Sequence, residues 1–292
     1  MRVCAGLGGL VLLGSYLGAL HPLGDSLAVF RNWIAGLLLA CAVVMILVRP
    51  RGFGMLVSIG AGIALLGATP IPPAALHASA FVRPQTIYQK NLLFALPNAG
   101  AILADIAEID PDHITLQELN ANNRQQVLSA LPSHYARHYC GYSSVGGVAV
   151  LSRHEVVEGS EFCVQGHGMA GFQVLTPQGP LWVISVHLRW PFPYEQRAQV
   201  EELVPVIAAL EGPILIGGDF NMVPWSWVLR EFAQASGSQV PRPISGTIHL
   251  FDGWLAPPID HVLLPGVGGL HSVRPRLGSD HMGVVGMFEI AP

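Results

Sequence analysis

The chain has 292 residues, of which 51% are hydrophobic and 12% charged, with a formal net charge of −4. A soluble domain carries about 25% charged residues, and with a mean hydropathy of +0.47 this composition excludes disorder, a collagen-like fibre and a small disulfide scaffold. The charge is also unevenly spread: residues 1–82 hold five charged side chains (Arg2, Asp25, Arg31, Arg49, Arg51), whereas residues 85–292 hold ten Lys/Arg against eighteen Asp/Glu, a balance of −8. The expectation is a membrane region joined to an acidic soluble domain.

Three apolar runs open the chain, at residues 3–20, 27–48 and 53–68. A bilayer core takes about 20 apolar residues. The second run is long enough, while the Gly-rich first and third need flanking residues to complete a span. A cleaved signal peptide competes for the first run, but two further apolar runs follow with no polar mature N-terminus between them. Residues 1–70 are therefore read as three transmembrane helices. Arg2 precedes the first run and Arg49-Pro50-Arg51 follows the second, whereas the connection at residues 21–26 has no Lys or Arg. The positive-inside rule then places the soluble domain on the extracytoplasmic side after three crossings. Arg31, close to the outer interface, opposes this orientation. Gly14 and Gly18 form a small-xxx-small face suited to close packing within the chain. Residues 71–84, with Pro72, Pro73 and Pro84, read as a stiff linker.

From Ile87 onward, short β-rich runs at residues 113–118, 147–151, 181–188, 213–216, 259–264 and 284–290 alternate with helical patterns at 99–109, 122–131 and 195–210. Strands apolar on both faces imply sheets covered on both sides, so residues 85–292 are expected to form packed sheets flanked by helices. The polar residues fall at strand ends. Glu118, His187 and the pair Asp219/Asn221 close strands, Asp260 opens one, and Asp280-His281 directly precedes another. Asp219 and Asn221, at i and i+2, point the same way in an extended segment. Carboxylates with an amide suit a hard, oxygen-preferring cation such as Mg²⁺, and two histidines supply a base and a stabiliser for phosphate chemistry.

The strings Leu116-Gln117-Glu118, Gly217-Gly218-Asp219-Phe220-Asn221 and Gly278-Ser279-Asp280-His281 resemble the endonuclease/exonuclease/phosphatase superfamily, and the resemblance runs from about Ile87 to Ile290. With apolar spans ahead of it, the chain is similar to bacterial membrane-anchored members, including the teicoplanin-resistance type. The resemblance implies an α/β four-layer sandwich and a divalent-metal-dependent attack of water on a phosphate ester, with Mg²⁺ or alternatively Mn²⁺. It implies that Asn91, Glu118 and Asp280 serve the metal, Glu118 as the principal ligand. It further implies that His187 stabilises the phosphate, that Asp219 and Asn221 orient the nucleophile, that Asp260 lies near the site, and that Asp280-His281 is the terminal pair, with His281 as general base oriented by a carboxylate. Met282-Gly283 departs from the second His or Pro that many members carry there. Outside this set, His261 reads as a structural neighbour and Arg153 as solvated or structurally paired. Arg189 and Trp190 read as exposed loop residues, and Trp225 and Trp227 as the site's wall.

Charge bears on the substrate. A nonspecific nucleic-acid binder displays a basic stripe, whereas the soluble half is acidic and Lys90 is its single lysine. Nucleic acid is the less favoured partner; the bilayer and a lipid-linked or small phosphoester are favoured. The expected protein is a multi-pass cell-membrane hydrolase with an extracytoplasmic catalytic domain. The alternatives are a metal-dependent nuclease and a membrane-tethered binding protein with a retired site, against which the retention of Asp219, Asn221 and His281 speaks. Cys4 and Cys41 fall in apolar runs. Cys140 and Cys163 either pair across neighbouring strands in an oxidising compartment or stay as two thiols.

Overall fold

The computed structural model describes residues 2–48, 52–68, 84–266 and 269–290. Four helices lead the chain: α1 (Arg2–Gly14), α2 (Pro22–Val29), α3 (Arg31–Val48) and α4 (Gly52–Ala68). Among the described residues α3, with 18 residues and a hydropathy of 2.1, is the one helix long and apolar enough to cross a membrane; the apolar stretches of α1 and α4 are shorter. These three pack around Leu12, Ala35, Leu38, Ala61 and Ala64. Gly8 admits Leu38, whose Cδ2 would lie 2.7 Å from a Cβ at that position.

The hydropathy pattern and the helices differ in one respect. The run at residues 3–20 ends its helix at Gly14, and the start of the run at 27–48 belongs to α2. That short helix leaves the apolar bundle and packs on the soluble domain, where Ala28 and Val29 join the core of Val228, Leu229 and Phe232. Arg49-Pro50-Arg51 and residues 71–83, read from the sequence as linker, lie outside the described residues.

The soluble half comprises β1 (Gln85–Asn91), α5 (Gly100–Ile109), β2 (His113–Leu119), α6 (Arg124–Ala130), β3 (Ala136–Ser143), β4 (Gly146–Ser152), β5 (Glu155–Val156), β6 (Phe162–Val164), β7 (Met169–Thr176), β8 (Gly179–His187), α7 (Gln196–Ala208), β9 (Ile214–Asp219), α8 (Trp227–Ser236), β10 (Asp260–Leu263), β11 (Gly269–Arg274) and β12 (Gly283–Phe288). One sheet has the order β11-β12-β1-β2-β4-β3; the other runs β10-β9-β8-β7-β5, with β6 also paired to β7. Each sheet contains one parallel pair, β1 with β2 and β8 with β9. A parallel pair needs a crossover, and α5 and α7 provide them.

Ile87, Val150, Phe172, Val183 and Leu215 fill the space between the sheets. Ile102, Ile106 and Val127 cover the outer face of the first sheet, while Val200, Leu203 and Phe232 cover that of the second. The result is two mixed sheets packed face to face and flanked by helices, as the strand pattern anticipates. Strands β3, β5, β6, β7 and β11 and helix α8 are absent from the sequence reading. β3 is a half-exposed edge strand rich in polar residues, and α8 starts from a local cap, with the Ser226 side chain accepting from Leu229 N.

Cys140 on β3 and Cys163 on β6 form a disulfide, with their Cα atoms 5.4 Å apart, so the bridge ties an edge of one sheet to the other. The bridged residues are 23 positions apart, and closing such a loop in the unfolded chain is worth about 3 kcal/mol. The Cys140→Ala/Cys163→Ala protein should lose about that stability in urea unfolding. In a Cys4→Ser/Cys41→Ser background neither Cys140 nor Cys163 should react with maleimide until a reductant is added; labelling of both without reductant would show that the bridge does not form.

Candidate active site

Both parallel pairs end on one rim. Asn91 closes β1, Glu118 lies one residue from the end of β2, and His187 and Asp219 close β8 and β9. Antiparallel β10 brings Asp260 opposite Asp219, and antiparallel pairing of β12 with β1 returns His281, just before β12, to the same rim.

Asp219 is the hub. Its Oδ2 accepts from Asn91 Nδ2 at 3.0 Å and lies 3.6 Å from His187 Nε2 and 3.8 Å from His281 Nε2. Glu118 accepts from the same Asn91 Nδ2 at 3.1 Å and from Phe94 N at 2.6 Å, and it lies 4.0 Å from His187 Nε2. His281 Nδ1 is 2.8 Å from Asp260 Oδ2, while the other oxygen of Asp260 accepts from Gln89 Nε2 at 3.2 Å. The Asn221 amide donates to Leu188 O at 2.8 Å, and its backbone N–H to Asp219 Oδ1 at 2.9 Å. Asp280 is the outlier: it is half-exposed, with Oδ1 4.0 Å from His281 Nε2. Glu118 and Asn221 hold positive φ, 61° and 49°. Non-glycine residues enter that region at a cost and gather at functional sites.

Residues that sequence reasoning did not single out support this set. Gln89 Nε2 also donates to Gln117 Oε1, and Gln117 Nε2 to Ser185 Oγ, which makes a buried polar ladder beneath the rim. Thr247 Oγ1 accepts from Asp260 N. Lys90 is fully buried, and its Nζ donates to the carbonyls of Pro275, Arg276 and His281, fastening the loop that carries His281. For Gln89, Lys90, Gln117 and Ser185 the one linear signal is a polar residue interrupting a buried strand; Thr247, on a connection, has none. His261 is a structural neighbour: its Nε2 hydrogen-bonds Met222 O, and burial pushes its pKa to about 4. Arg153 pairs with Asp110 and Asp112. Trp225 and Trp227 do not wall the site. Trp225 Nε1 donates to Ala28 O of α2, and the Trp227 ring lies under Arg197. Arg189 and Trp190 line the cleft, whose volume is about 610 Å³, together with Phe94, Tyr142 and Tyr194.

The electrostatics are those of crowded, buried carboxylates. Burial raises Asp219 to about 6, against the pull of His281, and burial raises Glu118 as well, against its hydrogen bonds to Phe94 and Asn91. Burial opposes a charge on His281, yet Asp260 and then Asp219 outweigh it and raise that imidazole to about 10. Burial lowers His187. Burial also works to raise Asp260, but the His281 charge and hydrogen bond hold it below the usual carboxylate range.

This donor set fits a hard divalent cation. Carboxylate oxygens dominate it, burial disfavours their charge, and Asn221 Oδ1 is buried in the cleft wall with no hydrogen-bond partner among the described residues. Ligand atoms of Asp219, Asp260 and His281 lie within 4.8 Å of one another. Asp260, however, is already committed to His281 and Gln89, which leaves the oxygens of Glu118, Asp219 and Asp280 as the more available donors. Asn91 turns its N–H₂ to Glu118 and Asp219 while its Oδ1 accepts from Leu93 N, so here it holds the carboxylates in place. In cation-free protein, NMR titration should find His281 protonated at pH 7. Asp260→Asn should lower its pKa; an unchanged titration would show that Asp260 does not govern the ring.

Residues 89–281 match the model of the Endonuclease/Exonuclease/phosphatase family. No curated protein sequence matches the chain. Among solved structures, a family protein from Leptotrichia buccalis is similar at 15% identity and a TM-score of 0.56, with 71% of this chain and 100% of that one covered. Humanized D. rerio TDP2 is similar at 16% identity and 0.54, covering 70% and 99%. The human Nocturnin catalytic domain, with a bound sulfate anion, is similar at 20% identity and 0.51, covering 71% and 94%. These likenesses are of fold, and the matched segment contains Asn91, Glu118, His187, Asp219, Asn221, Asp260, Asp280 and His281. The chain belongs to the endonuclease/exonuclease/phosphatase family.

Proposed function

We propose that this chain is a membrane-anchored, divalent-metal-dependent phosphoesterase with an extracytoplasmic catalytic domain, acting on a lipid-linked or small phosphoester. One observation carries the reading. Glu118, His187, Asp219 and His281, drawn from both sheets, stand within 4.0 Å of one another in successive pairs at one buried rim of a chain that belongs to a family of hydrolases.

Glu118 and Asp280 would hold the cation, Mg²⁺ or Mn²⁺, with Asn91 fixing Glu118, and it would supply Lewis-acid stabilisation of charge on the phosphoryl oxygens. His281 is the general base. Asp260 occupies its Nδ1, leaving Nε2 as the atom that takes a proton from water. That step needs a neutral ring, and a cation beside Glu118 and Asp280 would weaken the carboxylate field that keeps the ring protonated. Asp219 and Asn221 orient the water. His187, kept neutral by burial, donates Nε2–H to a phosphate oxygen.

Location rests on three supports: the apolar helix α3, a disulfide suited to an oxidising compartment, and the asymmetry of positive residues in the loops. Contacts of residues 15–30 with the soluble domain require both to lie on one side of a bilayer, which three crossings provide. Charge separates this reading from a nuclease. Lys90 is spent on three backbone carbonyls, so no lysine of residues 85–292 remains for a phosphate backbone.

His281→Ala should lower turnover about 10²–10⁴-fold with the fold retained, and Glu118→Gln should raise the Mg²⁺ concentration needed for half-maximal rate. With matched Mg²⁺, a lipid-borne or small phosphoester should be cleaved better than duplex DNA; salt-sensitive DNA cleavage alone would make the protein a nuclease. A reporter enzyme fused after Pro292 should be active outside the cytoplasm, and cytoplasmic activity would reverse the orientation.

A further inference from the structure

We infer that the connection between α1 and α3 clamps the mouth of the cleft to the bilayer surface. The substrate is then a phosphoester borne by a lipid of that leaflet, with its apolar stem resting on the aromatic loop at residues 190–194. The inference rests on the reading of α1 and α3 as spans and of the rim as a phosphoesterase site.

Residues 15–30 join the end of α1 to the start of α3, so they lie at headgroup level if those helices cross. They are not a free loop. Asp25, buried at 4% exposure, accepts from Trp227 N at 2.8 Å and adds a carboxylate to the N-terminus of α8, where helix dipoles favour negative charge. Arg197 of α7 donates to Gly18 O at 2.6 Å, and its guanidinium lies 3.9 Å over the Trp227 ring. Trp225 Nε1 donates to Ala28 O at 2.8 Å. The turn is close-packed as well: a Cβ at Gly18 would fall 2.2 Å from Asp25 Oδ1, and one at Gly24 would fall 2.4 Å from Gly18 N. A buried, hydrogen-bonded carboxylate between two glycines that admit no side chain marks a built interface.

The same segment grips the mouth. Ser26 Oγ donates to Phe192 O at 3.0 Å, and the His21 and Phe192 rings meet edge to face at 5.6 Å. Phe192 belongs to the loop between β8 and α7, which also contributes Arg189, Trp190 and Tyr194 to the cleft. Trp190 is 50% and Tyr194 63% exposed, and such rings favour the boundary between acyl chains and water. His187, at the head of this loop, touches the hub carboxylate. A lipid phosphate therefore reaches the rim while its stem stays on apolar surface. A soluble phosphoester has no use for that surface.

The test uses the full chain in phosphatidylcholine vesicles, with two substrates sharing one headgroup: a long-chain phosphoester in the bilayer and a short-chain soluble one. Asp25→Asn and, separately, Arg197→Gln loosen the clamp outside the catalytic rim. Each should cut turnover of the bilayer substrate by roughly tenfold, the scale of one lost charge-assisted contact, and leave the soluble substrate unchanged. Loss on both substrates together, or on neither, overturns the inference. A readout free of turnover is a bimane on Phe192→Cys in a Cys4→Ser/Cys41→Ser background, which brominated lipid should quench; an unquenched label overturns the inference. Quenching with neither ester cleaved by wild-type protein would instead place the failure in the phosphoesterase reading.

Discussion

The rim is divided between two sheets, so everything at the site depends on how closely those sheets pack. Asn91 and Glu118 belong to one sheet and His187, Asp219 and Asp260 to the other, while His281 precedes a strand of the first. Gly217 sets the approach: a Cβ there would lie 2.3 Å from Thr115 Oγ1 of the facing sheet. Across that narrow gap Gln89 reaches Asp260, and Gln117 reaches Ser185. Buried polar groups cost free energy unless paired, and the ladder therefore admits one alignment of the sheets. A one-residue slip in any of these strands would turn its polar rungs to the other face.

The same packing creates the electrostatic problem that the site addresses. Three nearly buried carboxylates, Glu118, Asp219 and Asp260, share a small volume with two imidazoles. Burial pushes Asp219 and Glu118 up, while Asp260 and Asp219 hold His281 protonated. Lys90 does not relieve this crowding, because its ammonium is bound by Pro275, Arg276 and His281 carbonyls and serves to hold the 275–281 loop. A divalent cation is the countercharge this arrangement fits.

At the other end of the chain, hydropathy and tertiary contact divide the same residues differently. Arg31, which opposes a simple reading of the loops, donates Nε to Ser15 Oγ at 3.0 Å and lies 3.9 Å over the Tyr16 ring. Its guanidinium is thus held by polar and aromatic partners where α1 ends and α3 begins. Ala28 and Val29 look like the first residues of a span, yet they pack with Val228 and Phe232. Which face of α2 is buried, that of Gly24, Asp25, Ala28 and Val29, is visible only once its partner is present.

Much of the fold is legible in the chain itself. Alternation between short β-rich runs and helical stretches places β2, β4, β8, β9, β10 and β12 and the helices α5, α6 and α7 to within a few residues, because burial on both faces leaves continuous apolar runs. The site residues stand out because an ionisable group at the end of an apolar strand is conspicuous, as with Glu118, His187 and Asp219. Tertiary structure alone decides that Asp260 is the carboxylate oriented on His281, that Gln89 and Thr247 support it, and that Cys140 meets Cys163. It also decides that Asp25 caps α8, 202 positions along the chain. Local pattern reports which residues must be buried and where the chain turns; which buried groups then become neighbours depends on sheet packing, and no linear spacing encodes that.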